Sequence, residues 1–343
     1  MPCDPVRLEM KTVDRSVAGA PAPLMVAAAF AAIYLIWGST YLAIKYAIES
    51  VPPFLMTAVR FLIAGGVLYA WSMFRPTASP ANGHVSRARA WRDAFIVGGL
   101  LIVGGTALVG WAELSVPSGI TSLILATTPL WMVLLEGVSS GRAPAPRVLA
   151  GVAVGLGGLA ILIWPSLVSP GAGIDLLGVG ALALAALTWS AGALYSRRAR
   201  LPASAARATG MQMIAGAALS LVVGIALGEH RALSVADITP ASLAAIGYLV
   251  IAGALVGFSA YLWLIRVSTP SRVATHAYVN PVVAVLLGWA VLGEAVTSRT
   301  GIAMAVIVAA VVLIVSAPAT APRADERAPS RSRDARRLAE RAA

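Results

Sequence analysis

The residues that could do chemistry are few, and they sit in apolar surroundings. Arg60 lies in PPFLMTAVRFLIAGG, a run that carries no other charge. An arginine at the centre of a membrane helix costs roughly 2.5–3.5 kcal/mol on insertion scales, so it must face protein or water. Its guanidinium fork suits a carboxylate, and that carboxylate has two sources: a fixed acid such as Glu113, or a substrate. Gln212, polar but uncharged, occupies the comparable place in the second half of the chain. Glu113 ends an apolar run, two residues after Trp111. A partly buried carboxyl can take up and release a proton, which would suit it to proton coupling; the commoner case is a glutamate in water at the membrane interface. His276 and Asn280 are four apart and share a helical face. His276 can relay a proton, although a hydrogen-bonded structural histidine is the commoner case. Asn280 can line a cavity or bond beside Pro281. Tyr34, Trp37, Tyr41 and Lys45 recur at helical spacing, and such a face can stack on apolar or cationic groups or simply pack. Glu49, Glu136 and Glu294 lie nearer helix ends, where solvation or capping is expected.

The elements that must hold these groups are long and apolar. The segment 269–295 is broken by Asn280-Pro281, and the segment 116–143 by Thr128-Pro129. Pro117 and Pro270 open the two segments, and Gly141 and Gly293 each follow the inner proline by twelve residues. Proline removes a donor and crowds the preceding turn, so breaks are expected at Pro129 and Pro281. Paired broken segments in the two halves of a membrane chain point to a transporter's binding site.

The composition agrees with a polytopic helical membrane protein: 59% of the 343 residues are hydrophobic and 12% charged, against about 25% charged in soluble domains. At about 20 apolar residues per span, ten spans are expected: 24–48, 53–74, 94–113, 117–138, 147–165, 176–196, 204–227, 241–264, 270–292 and 299–317. With the N-terminus in the cytoplasm, 22 of the 26 Lys and Arg fall on the inside, Arg231 and Arg299 fall outside, and Lys45 and Arg60 lie within spans. This charge split follows the positive-inside rule and places both termini in the cytoplasm. The net charge of +11 is therefore a topology signal, and nucleic acid is not expected as a partner. Five spans per half make the second copy enter upside down. Trp37-Gly38-Ser39 resembles Trp189-Ser190-Ala191, and Ile63-Ala64-Gly65 resembles Ile214-Ala215-Gly216. The expected organisation is an N-terminal tail (1–23), two five-helix repeats (24–165 and 176–317) and a basic, Pro- and Arg-rich C-terminal tail (318–343). Residues 75–92 read as a short basic loop. Two lysines against 24 arginines, with abundant Ala and Gly, hint at a GC-rich bacterial genome, and together with the spans point to a bacterial inner membrane as the location.

Three stretches, IYLIWGSTYLAIKYAIESVPPFLMTAVRFLIAGGVLYAW (33–71), AELSVPSGITSLILATTPL (112–130) and YLWLIRVSTPSRVATHAYVNPVVAVLLGWAVLGE (261–294), closely resemble EamA-type transporters of the drug/metabolite transporter superfamily. The resemblance covers about residues 24–316. It implies ten helices in two inverted five-helix repeats, a central cavity and efflux of small metabolites or drugs. Many members end the fourth helix of each copy with Gly-Glu; here the second copy has Gly293-Glu294 but the first has Gly141-Arg142.

Several chemistries find no support in the residues. The close glycines of GVAVGLGGLAIL (151–162) lie inside a span and read as small-residue helix packing. There is no GxxxxGK[ST] phosphate loop, no HExxH and one cysteine, Cys3, so no nucleotide, cofactor or metal is expected. The reading is a secondary carrier for a small amphipathic, amino-acid-like metabolite or a drug, working by alternating access, with the bilayer and the small molecule as partners and a homo-oligomer left open. Substrate contacts are expected from Tyr34, Trp37, Tyr41, Arg60, Trp111, Trp189, Gln212 and Asn280, and coupling from Glu113 and His276. A flippase of lipid-linked substrates shares the fold. An intramembrane enzyme would need a nucleophile or paired acids at matching depth, but Asp93 and Asp175 lie at span edges. A channel would need a charge ring or filter motif.

Overall fold

The computed structural model describes residues 23–74, 86–141, 145–168, 174–202, 204–268, 273 and 275–315. Among them the chain forms helices and no strand. In order these are α1 (Pro23–Ala47), α2 (Pro53–Met73), α3 (Arg87–Ala112), α4 in two pieces (Ser118–Leu125 and Thr128–Ser140), α5 (Pro146–Val168) and α6 (Leu176–Ser196). They continue as α7 (Ala205–Ala226), α8 (Pro240–Tyr248, extended without a break through Leu249–Val256 to Val267), α9 (His276–Leu292) and α10 (Ser298–Val315). Eight of these helices are long and apolar enough to cross a membrane, and α9 and α10 contain the shorter apolar helices Val279–Leu292 and Ser298–Ile314.

Local chemistry sets the ends. Ser86, Asp175, Ser204 and Thr239 accept backbone N–H bonds in the first turns of α3, α6, α7 and α8, and α2 and α8 open on proline, whose missing N–H is not needed there. Gly141 and Gly293 close α4 and α9 with φ of 64° and 66°, the left-handed C-terminal geometry that glycine adopts without a Cβ clash. The repeated proline-to-glycine spacing is thus a repeated helix with the same stop. Two expectations need correction. Helix α3 begins at Arg87 rather than 94, because the capped, charged first turns are helical without being apolar; the basic loop is correspondingly shorter. The break at Pro129 is present: the chain leaves the helix at Ala126–Thr127 and restarts at Thr128. Pro281 instead lies inside α9, which is uninterrupted there. The bond it deletes is to the carbonyl of Ala277, in the first turn, and the helix runs on to Leu292.

The packing has a pseudo-two-fold pattern. Helix α1 packs on α8 and α9, and α6 on α3 and α4; α2 lies along α7, α5 along α10, and α4 against α9. Exchanging every helix with the one five places on leaves this set unchanged, as two inverted five-helix repeats require. Fully buried Met56, Leu123, Ile124, Leu182 and Leu249 come from both copies. Small residues bring the seams close: a Cβ on Gly65 would lie 2.7 Å from that of Met213, and one on Gly155 2.6 Å from Leu130 and 3.3 Å from Ala310. Gly151, Gly155 and Gly158 of α5 all face α10 in this way, so the glycine-rich stretch is a packing seam.

Candidate functional site

Because α1 packs between α8 and α9, Trp37 meets residues far away in sequence. Its ring lies 5.2 Å from that of His276 at 87°, 5.2 Å from Tyr261 and 6.3 Å from Phe258. Tyr261 also meets His276 edge-on at 5.9 Å. One turn earlier on α1, the hydroxyl of Tyr34 hydrogen-bonds that of Thr275. The result is a cluster of three aromatic rings and one imidazole, most pairs set edge against face as ring quadrupoles favour.

The neighbouring stretch of α8 is unusual. Residues Leu249–Val256 form a π-helix, whose wider turns are rare and recur at functional sites. Gly253 sits within it. Its carbonyl accepts the Trp37 Nε1–H at 3.3 Å, and a Cβ on it would lie 3.2 Å from Nη2 of Arg60. A Cβ on Gly257 would lie 2.6 Å from Trp37 Nε1. The widened, side-chain-free turn is therefore where Trp37 and Arg60 both land. The other copy repeats this arrangement: α3 is π-helical over Gly99–Ala107, and a Cβ on Gly105 would lie 2.8 Å from the Trp189 ring. The correspondence of Trp37 and Trp189 is thus spatial as well as sequential. The charge is not repeated: Gln212 stands at the comparable place, its backbone oxygen 2.4 Å from where a Cβ on Gly98 of α3 would lie.

Arg60 is 7% exposed. Its guanidinium carbon lies 4.8 Å from the Phe61 ring centre, and its Nε and Nη1 have no hydrogen-bond partner among the described residues. No ion pair joins it to Glu113 among those residues. Glu113 is fully buried rather than in water at the interface, the commoner of its two readings, and neither carboxyl oxygen has a described partner. The reason is packing: the Glu113 side chain turns into the core although Leu114 beside it is exposed, and Lys45 reaches across from α1 to donate to the backbone oxygen of Glu113 rather than to its carboxyl. Thr57 Oγ1, Thr121 Oγ1, His276 Nδ1 and Asn280 Oδ1 are likewise buried without a described partner. Buried polar groups are nearly always hydrogen-bonded, so this concentration of exceptions along α2, α3, α4 and α9 departs from an ordinary core.

The fold thus joins Tyr34, Trp37 and His276 directly and adds Arg60 through Gly253. Asn280 is one turn beyond His276, with its backbone oxygen against Gly38. Tyr41 packs on the main apolar core. Trp111, Trp189 and Gln212 lie on α3, α6 and α7, outside the Trp37 cluster. Sequence reasoning missed Gly253, Phe258, Tyr261 and Thr275; the Gly253-x-x-x-Gly257 spacing in an apolar run was the available signal. A cleft of about 240 Å³ between α2, α7 and α8 is lined by Leu68, Thr209, Phe258, Ser259 and Trp263 among others, and Phe258 connects it to the Trp37 cluster. Of the span-edge acids, Asp93 accepts from the Arg200 N–H at 2.7 Å and the Tyr195 hydroxyl at 3.2 Å. Asp175 caps α6, and the Ser115 hydroxyl, followed by the Leu177 N–H, holds its carboxyl below the usual carboxylate range. Both are structural ties. Among the described residues no group of His, Cys, Asp and Glu is placed to hold a metal.

Comparison with known proteins places this arrangement. The chain is 34% identical over 286 residues to the Escherichia coli K12 protein named uncharacterized inner membrane transporter YedA, covering 82% of this chain and 88% of that one. It is 22% identical to an Escherichia coli protein named as a probable amino-acid metabolite efflux pump (77% and 86% covered), and 24% identical to protein PecM of Dickeya dadantii (81% and 88%). A crystal structure of a protein 24% identical to this one superposes with a TM-score of 0.57, over 85% of this chain and 98% of that chain. The model of the EamA-like transporter family matches twice, over residues 24–164 and 176–316, and the chain belongs to that family.

Proposed function

We propose that the protein is a secondary carrier that exports a small, amphipathic, amino-acid-like metabolite by alternating access across a bacterial inner membrane. Arg60 takes the substrate carboxylate, and the rings of Trp37, Phe258 and Tyr261 take its apolar part. The observation that carries this reading is Arg60 itself: a buried guanidinium with unpartnered Nε and Nη1 and no described acid paired to it. A buried cation needs an anion, and a substrate carboxylate is of the right charge and geometry. The relative named as an amino-acid metabolite efflux pump supports the same substrate class. The two repeats, 24–165 and 176–317, are the two halves of the carrier, and the charge split orients both termini to the cytoplasm. Glu113 and His276 are the candidates for proton coupling.

The test is selective. In proteoliposomes, well-folded Arg60→Leu should lose export of carboxylate substrates and keep or gain transport of cations. Candidates for the assay come from comparing metabolites in the medium of overexpressing and deletion cells. Unchanged export of a carboxylate substrate by Arg60→Leu would end this assignment.

A further inference from the structure

The end of the molecule opposite the cleft is held by a contact between the two copies that nothing above uses. Glu294 follows Gly293 at the C-terminus of α9 and reaches the N-terminus of α4. Its Oε1 accepts from the Ser118 N–H at 2.7 Å and from the Ser118 hydroxyl at 2.8 Å, and its Oε2 accepts from the Gly119 N–H at 2.9 Å. Ser118 is fully buried. The Glu294 N–H bonds to the Gly288 oxygen at 3.0 Å, so the final turn of α9 fixes where the carboxylate points. Gly288 and Gly119 leave room for it: a Cβ would lie 2.5 Å from Oε2 in the first case and 3.2 Å in the second. The contact was built for a carboxylate, which satisfies the orphan donors of a helix start and is favoured there by the helix dipole.

Other ties cross between the copies: Glu229, just past the end of α7, accepts from the Phe54 and Leu55 N–H groups at the start of α2 at 3.2 and 2.9 Å, and two further ties form a related pair. The start of α8 bonds the α1–α2 corner through the Thr239 N–H and Ser50 Oγ at 3.1 Å. The start of α3 bonds the α6–α7 corner through Asp93 and the Arg200 N–H at 2.7 Å. Each serves one end of the molecule. The Glu294 contact breaks this pattern, because the residue after Gly141 in the first copy is Arg142, which has donors only and cannot accept from a helix start. It also joins α4 to α9, the two segments that share the repeated proline and glycine spacing.

We propose that Glu294 is a gate latch. Its carboxylate clamps the start of α4 while this end of the carrier is shut, and the clamp must release before the central site opens here. Because the first copy has no matching acid, the two gates are unequal and the carrier rests with the Glu294 end closed. This rests on the alternating-access reading above, and its test needs no substrate.

Thr121 lies three residues beyond Ser118 on the same face of α4 and is fully buried, so a cysteine there reports opening. In a Cys3→Ser background, Thr121→Cys is reacted with a membrane-impermeant maleimide applied from each side of the membrane. Labelling from the Glu294 side should be slow with Glu294 intact and several-fold faster with Glu294→Gln. Ser118→Ala should give an intermediate rate, and Gly288→Ala, which displaces the carboxylate sterically, should match Glu294→Gln. The last two variants keep the acid and serve if Glu294→Gln does not fold. Equal labelling in Glu294→Gln, or equal labelling in both Ser118→Ala and Gly288→Ala, overturns the latch. Loss of substrate specificity with the labelling pattern intact would overturn the substrate reading and leave the latch standing.

Discussion

At the scale of single residues, Arg60 and Glu113 are alike in burial and opposite in charge, yet the fold keeps them unpaired. Arg60 faces the π-turn of α8, whereas Glu113 is enclosed near Lys45, whose ammonium is engaged by the glutamate's own backbone oxygen. Leaving a buried polar group without a partner costs about 1–3 kcal/mol, and more when it is charged, so both residues are retained against stability. Glu113→Gln removes no side-chain hydrogen bond seen in the structure and should leave the melting temperature nearly unchanged. In proteoliposomes with an imposed pH gradient it should abolish uphill export while substrate exchange persists. Normal proton-driven accumulation by that variant would remove Glu113 from coupling and leave His276 as the candidate.

At the scale of elements, α8 carries the site. Its π-stretch, with Gly253 inside it and Gly257 at its end, lets a tryptophan of α1 and an arginine of α2 reach the same turn. Gly257→Ala would put a Cβ 2.6 Å from Trp37 Nε1, against the backbone-anchored indole. The expected cost is about 1–3 kcal/mol, as for other overpacked cores, seen as a lower melting temperature, with transport falling as Trp37 leaves the His276 and Tyr261 rings. Gly247→Ala, on the same helix with nothing within 4 Å of the added Cβ, should be neutral or stabilising by up to about 1 kcal/mol. Equal effects of the two substitutions would show that the glycines act through helix propensity and not through close approach.

At the scale of the molecule, the helix contacts exchange as two related copies require, the odd number of spans in each half inverts one copy relative to the other, and the charge split supports the orientation proposed. Reporter fusions after Arg198 should read cytoplasmic, and fusions near Asp237 should read the opposite side. A cytoplasmic Asp237 in an otherwise intact protein would contradict the orientation proposed. The asymmetries lie on top of this frame: one cation at Arg60 with Gln212 in the other copy, and one latch at Glu294 with Arg142 in the other.

The helices, their number and the repeat were legible in the sequence for a simple reason. In a bilayer every backbone group must be satisfied within its own helix, so apolar length and charge placement determine the spans, and proline and glycine spacing marks their ends. The partners were not legible. Whether Glu113 meets water or a closed core, whether Pro281 interrupts α9, and which rings surround Trp37 depend on how helices far apart in sequence cross. The π-turns in α3 and α8 follow from that same packing, since an i→i+5 turn has no local signature beyond its small residues. Glu294 shows the division most plainly: its position after Gly293 placed it at a helix end, but only the contact of α9 with α4 decided that the helix it caps belongs to the other repeat.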